Sequence, residues 1–470
     1  MPTAADRPFI ATRNACKLCA PLGACLAIRG IEGAVPFLHG SQGCATYIRR
    51  YMISHFREPL DVASSNFGEM TAIFGGRENL RTGLANVVRQ YQPRLVGIAT
   101  TCLAETIGDD VPLYLHEIEA GHAANGSSNG HAAPLPEFVH ISTPSYRGTH
   151  AEGYWAAIRA LLEKLAGKHS EQGAPRTAEE ADDRLLLMPG IVSPADLRYL
   201  KEICRDFSLA LTLLPDYSET LDGPAWTDYQ RIPKGGTPVE AIRRAHRVAA
   251  AIEFSTTLSP EQTPAALLTA RFGVERATLP LPIGVRLSDG FFERLEHYSG
   301  RATPAEHAAE RGRLIDCYVD AHKYIFGKRA VIYGEQDLVV SLAAFLSEIG
   351  ITPVLCGSGA ETGRLREKLR EVVPELPSET AVREGADFAE LQEQAAALEP
   401  DLVVGNSKGY KLARAMKIPL VRVGFPIHDR IDGPRLLMLG YRGAQQLFDR
   451  IVNAVIESAQ EDSDIGYSYM

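Results

Sequence analysis

Short apolar, β-branched runs alternate with stretches of helical period along most of the chain, and no other feature narrows the fold as far. The runs are RLVGIATT at 94–101, FVHIS at 138–142, LLLMPGI at 185–191, ALTLLP at 210–215, RAVIYG at 329–334, TPVLC at 352–356, DLVVG at 401–405 and PLVRVG at 419–424. Between and around them, helices are expected at 150–166, 194–206, 238–251, 304–325, 336–349 and 441–459. Ser193 can cap the second of these, with Pro194 at its first helical position. Leu338, Leu342, Phe345 and Leu346 line one face of the fifth. Strands that alternate with helices form parallel sheets covered by helices on both faces, so the fold class is α/β.

The chain's 470 residues accommodate about two to four domains by length. Two polar stretches without period read as surface loops, GHAANGSSNGHAAPL at 121–135 and GKHSEQGAPRTAEEADD at 167–183. The second is the best boundary, and another falls near 300–312. Three α/β units are therefore expected at 1–170, 180–300 and 310–430. A C-terminal helix and tail at 431–470 should pack back on the body.

A formal net charge of −9 disfavours nucleic acid and anionic membranes as partners. No apolar run reaches the length of a membrane span, and the first residues carry no apolar signal core. A cytoplasmic protein with reduced thiols is expected, so the eight cysteines are free, buried or metal ligands.

Several motifs promise more than their context supports. GNSKG at 405–409 fits G-x-S-x-G after a strand, but a hydrolase needs an acid and then a histidine downstream. Here Asp429 directly follows His428, in the wrong order. GSGAETG at 357–363 places its third glycine one residue late for dinucleotide binding. Cys16-Lys17-Leu18-Cys19 is a C-x-x-C with no strand before it and no second ligand pair, which suits neither a thioredoxin-like site nor zinc. His39, His55 and His140 read as hydrogen-bonded structural histidines. Phe74, Tyr324 and Phe345 read as core.

Cys19, Cys44 and Cys102 form a different pattern. Each stands at a turn that should open a helix: before Pro21-Leu22-Gly23, at the end of HGSQGC, and at the end of RLVGIATTC. A helix start offers unpaired N–H groups and a positive dipole end, which stabilise a thiolate or an anionic iron–sulfur cluster. Gly23, Gly40 and Gly43 would let backbone approach a bulky group. Singly, each cysteine reads as a small buried hydrophobe. Together they suggest a cluster site, and three ligands are an incomplete set that a partner chain would complete.

With CAPLGA at 19–24, HGSQGC at 39–44, SHFREP at 54–59, FGG at 74–76, TTCLAETIGDD at 100–110 and TPSY at 143–146, the sequence resembles the component 1 family of nitrogenases, and within it the β-type subunit. ERGRLID at 310–316, GKR at 327–329, GNSKG at 405–409 and GFPIHDR at 424–430 extend the likeness over nearly the whole chain. The cysteine spacings of 25 and then 58 residues look like the β-subunit pattern. The resemblance implies three Rossmann-like domains and an α2β2 assembly. It implies an 8Fe-7S P-cluster held by Cys19, Cys44 and Cys102 together with an α-type partner, with Ser145 where the family's β chain has a serine able to ligate the oxidised cluster. A 4Fe-4S cluster is the alternative. It further implies an ATP-hydrolysing reductase with its own 4Fe-4S cluster, the iron protein, and a catalytic cofactor in the α-type partner rather than in this chain.

Within the family, the three cysteines and Ser145 favour a reductase over a cofactor-assembly scaffold. The molybdenum-system scaffolds of β type keep a cysteine at the Cys44 position and lose the other two. After SHFREP the chain reads LDVASSNFGEMTAIFGG, without the Ser-Met-Thr-Glu stretch of molybdenum nitrogenase β chains, and it lacks their long N-terminal extension. These departures point to a methylthio-alkane reductase, which cleaves C–S bonds, with dinitrogen reduction as the alternative.

Overall fold

The computed structural model describes residues 14–129, 134–168 and 182–464. Thirteen strands form three sheets. The first holds β1 (Ala34–His39), β2 (Ala63–Ser64), β3 (Leu95–Thr100) and β4 (Glu137–Ile141), in the order β2-β1-β3-β4. The second holds β5 (Leu185–Met188), β6 (Leu211–Leu213), β7 (Ala250–Glu253) and β8 (Glu275–Thr278), in the order β6-β5-β7-β8. The third holds β9 (Arg329–Gly334), β10 (Thr352–Ser358), β11 (Ala381–Arg383), β12 (Leu402–Gly405) and β13 (Leu420–Arg422), in the order β11-β10-β9-β12-β13. Every pairing between these strands is parallel. The fold is α/β, and the central strands β1, β3, β5, β7 and β12 are buried from end to end, as sheets covered on both faces require.

The first sheet contains a proline where a central strand should not have one. Pro36 lies inside β1, opposite Gly97 of β3. In a parallel ladder, alternate residues turn their N–H and C=O to opposite neighbours. Leu38 turns its carbonyl toward the β2 side, where the amide of Ser65 donates to it, and Pro36 shares that parity. β2 pairs only with Phe37 and Leu38, so the missing N–H of Pro36 forfeits no ladder bond.

Two expected elements differ. The segment 238–251 is not one helix: a short helix at Val239–Arg243 and a 3₁₀ turn at Arg244–Arg247 lead into β7. Its alanine-rich end favours helix locally, but Ala250–Glu253 is wholly buried between β5 and β8, and burial overrides propensity. The expected loop at 121–135 is helical as far as Asn129: the one proline of helix Val111–Asn129, Pro112, sits in its first turn, where a missing N–H costs no intrahelical bond. Residues 130–133 lie outside the described residues, as does most of the second expected loop, at 169–181. The other expected helices form within two residues of their reading, including Pro194–Asp206 with a complete capping box between Ser193 and Asp196.

The helix Ala20–Arg29 is buried throughout and lies against helix His150–Leu165 without side chains between them. A Cβ on Gly23 would sit 1.6 Å from the His150 carbonyl oxygen, and one on Gly153 would sit 1.9 Å from that of Ala20. The His150 amide also donates to the Leu18 carbonyl at 3.0 Å, immediately before Cys19. At the other end of the chain, Asp429 fixes the turn after β13. It accepts from the Arg422 guanidinium at 2.7–2.9 Å and from Ser407 Oγ. Burial opposes its charge, but Arg422 and Ser407 hold its carboxyl down at about 2.

Gly23→Ala is expected to cost about 3 kcal/mol, the upper end for overpacking, because backbone rather than a side chain must yield. Gly312→Ala, where a Cβ meets open space in a helix interior, should instead gain up to about 1 kcal/mol; urea titrations of both variants check this. The Asp429 contribution to stability is present above the unfolded carboxyl pKa and is lost as the pH falls through about 2. Asp429→Asn should therefore lower the melting temperature near pH 6, with the gap to wild type closing as melts are repeated toward pH 2.

Candidate functional site

The order of the first sheet reverses between β1 and β3: the chain leaves β1 toward β2 on one side and leaves β3 toward β4 on the other. His39 and Thr100, the last residues of β1 and β3, are paired. The crevice beyond these carboxyl ends is where open α/β sheets bind ligands. Cys44 lies in the first turn of helix Gln42–Phe56, which follows β1, and Cys102 begins helix Cys102–Ile107, which follows β3. Cys19 is the N-cap of helix Ala20–Arg29. Three helix starts thus bring three thiols to one edge.

The thiols act on one another electrostatically. Burial pushes the Cys19 thiol up to about 11, and the charges of Cys44 and Cys102 add to that rise, while the Leu22 amide pulls against it. Ser41 Oγ donates to Cys44 Sγ at 3.4 Å. Cys19 and Cys44 are half-buried and Cys102 is exposed, so the chain encloses the group on one side only. Among the described residues, no three Cys, His, Asp or Glu side chains close tightly enough on one point to hold a single metal ion. A wider multi-iron cluster, with soft thiolate ligands and helix-start amides around it, fits this donor set. Ser145 lies in the turn after β4, on the same carboxyl edge, and no hydrogen bond joins it to the three thiols.

The glycines divide their roles differently from expectation. Gly23 serves the helix crossing. Gly40 lets the loops after β1 and β3 cross, since its Cβ would lie 2.1 Å from Thr101 Oγ1. Only Gly43 faces open space, its nearest neighbour being Ser41 Oγ at 3.8 Å.

Cys16 and Cys25 are buried packing residues, and burial pushes the Cys16 thiol up to about 12. Ser407 of GNSKG bonds Asp429, and His428 reaches it through its backbone N–H rather than its ring, so no nucleophile–base pair exists there. His39 Nε2 bonds Asp109 at 2.9 Å, and His55 Nδ1 accepts the Ile427 amide, both structural roles. Phe345 is core and Tyr324 is half-buried, but Phe74 is 76% exposed. With Met70 and Ile73, 66% and 71% exposed, it forms an apolar face on helix Glu69–Phe74, which packs beside the Cys102 helix. Phe74 therefore lies on the surface rather than in the core. Sequence reasoning also missed Asp109, which takes the Gly76 amide on both carboxylate oxygens at 3.0–3.1 Å and so ties this face to His39. Its signal was the GDD run that follows Cys102.

No helix among the described residues is long and apolar enough to cross a membrane. The family model of nitrogenase component 1 type oxidoreductases matches residues 19–456. The chain is 34% identical to a nitrogenase molybdenum-iron protein beta chain of Methanothermobacter thermautotrophicus, over 95% of each chain. It is 32% identical to the beta chain of Clostridium pasteurianum, over 96% of this chain and 94% of that one. A solved chain described as nitrogenase Cp1 at pH 6.5 superimposes with a TM-score of 0.90 at 30% identity, covering 99% of this chain and 98% of that one. A second Cp1 chain, at pH 5, shares the fold alone, with a TM-score of 0.66 at 14% identity. The chain is an oxidoreductase component of the nitrogenase component 1 family, of β type.

Proposed function

We propose that Cys19, Cys44 and Cys102 hold one half of an 8Fe-7S P-cluster, with Ser145 as an oxygen ligand at its edge, and that an α-type partner supplies the other half in an α2β2 assembly. The observation that carries this reading is the meeting of three thiols at the switch point of the first sheet, with one side left open. When bound, the cluster supplies a relay for electrons. The chain's own residues bind and orient it: three thiolates as ligands, Ser41 Oγ donating to Cys44, and the Leu22 amide directed at Cys19. Burial raises the Cys19 thiol, so binding a cluster there would displace its proton. The cluster-bearing unit is placed at residues 1–170, followed by units at 180–300 and 310–430 and the tail at 431–470.

Electrons would enter from an ATP-hydrolysing iron protein and leave toward a catalytic cofactor in the α-type partner. The apolar face of Met70, Ile73 and Phe74 beside the Cys102 helix supports a partner docking at this edge. The substrate proposed is a small thioether, whose reductive cleavage takes two electrons and two protons and yields a hydrocarbon and a thiol. The departure of the segment LDVASSNFGEMTAIFGG from molybdenum β chains weighs against dinitrogen as the first reading. Dinitrogen is the second reading, favoured by the names of the relatives.

The purified complex, given iron protein and ATP, should form methane and methanethiol from dimethyl sulfide and no ammonia from dinitrogen. Ammonia would select the second reading. Iron analysis and EPR should report an eight-iron cluster; a single four-iron cluster would sink the reductase in favour of an assembly scaffold. Cys44→Ala should remove that signal and abolish turnover; were Cys44 only a packing residue, the change would leave both intact and cost about 1 kcal/mol of stability.

A further inference from the structure

The GNSKG turn, which has no hydrolase role, holds the segment that leads into the thiol site. Lys408 Nζ donates to the carbonyls of Ala15 at 2.5 Å and Lys17 at 3.1 Å, on either side of Cys16. The same stretch is pinned by the Cys16 amide to Ala386, the Gly359 amide to Cys16, and the Phe388 amide to Asn14. The next anchors are the Leu18 carbonyl, bonded by His150, and then Cys19 itself. Cys19 is therefore positioned from two bodies: helix His150–Leu165 on one side and the third sheet, through Lys408, on the other.

The ammonium is also a fixed charge. It lies 5.7 Å from the centre of the Phe388 ring, and burial pulls its pKa down although the charges of Cys16 and Asp387 favour the cation. Asp387 acts on it at a distance without forming an ion pair; one of its oxygens caps helix Phe388–Leu398 and the other is buried without a partner. The adjacent His150 is held neutral, its pKa taken down to about 4 by burial and by Lys408. Lys408 thus places a buried positive charge on the carbonyls four and two residues before Cys19, where it also acts on Cys16.

We propose that Lys408 is a positioning residue for the cluster, clamping the segment before Cys19 and favouring the cluster's more reduced, more negative state through its charge. The proposal rests on the P-cluster reading above. Cluster potentials respond to net charge and hydrogen bonding around the sulfurs, and a cation stabilises the state with more electrons.

The test uses the complex with its α-type partner, as wild type, Lys408→Met, which is neutral and of similar length, and Lys408→Arg, which keeps the charge. EPR-monitored redox titration gives the cluster midpoint, and amide hydrogen exchange reads Cys16 and Gly359. Lys408→Met should shift the midpoint to more negative potential and speed exchange at both amides at least tenfold, while Lys408→Arg keeps the wild-type midpoint. A folded Lys408→Met complex with unchanged midpoint and exchange overturns the proposal, as does a Lys408→Arg midpoint displaced as far as that of Lys408→Met. Should Lys408→Met not fold, Lys408→Arg decides alone: a retained midpoint supports the proposal and a displaced one overturns it. A wild-type complex without an eight-iron cluster refutes the functional reading instead, and the exchange rates of the variants still decide whether Lys408 clamps the segment before Cys19.

Discussion

The architecture of the site depends on one close approach of backbones. Helix Ala20–Arg29 and helix His150–Leu165 touch through Gly23 and Gly153, with the carbonyls of His150 and Ala20 where side chains would otherwise be. This contact sets the height of Cys19 above the first sheet. Cys44 and Cys102 need no such device, because each follows directly from a strand end, and the paired ends of β1 and β3 fix their separation. One ligand is thus placed by helix packing and two by sheet register. A shift in either would leave three thiols that no longer converge.

Much of this could be read from residues in order. The capping pair Ser193 and Pro194 gave helix Pro194–Asp206 its start. The apolar runs at 329–334 and 401–405 predicted strands, which pair with each other as β9 and β12 in the third sheet. The three cysteines were visible because each sits where a turn signal meets the start of a helical pattern, and a helix start is a chemical environment as well as a shape.

What stayed hidden has physical causes. β1 was obscured by Pro36, which is acceptable only because of the parity of its neighbours, a property of pairing that no single strand reveals. β7 was masked by alanines that favour helix until burial decides otherwise. Phe74 carries the composition of a core residue, and only the arrangement of neighbouring helices leaves it outside. The Lys408 bonds join positions separated by 391 and 393 residues, so nothing local marks them. Local chemistry located the ligands, whereas the groups that orient them arrive from distant parts of the chain.

The borders of the three sheets have a consequence for how this protein meets other molecules. Five of the six outermost strands, β2, β6, β8, β11 and β13, are only two to four residues long, and β8 carries Glu275 and Arg276 facing solvent. The sixth, β4, begins with Glu137, which is engaged by Lys168 and Arg243. Such borders are poor templates for adding a foreign strand, so they protect the chain from edge-to-edge aggregation. Recognition is thereby confined to side-chain surfaces, where shape and charge rather than backbone ladders choose the companion.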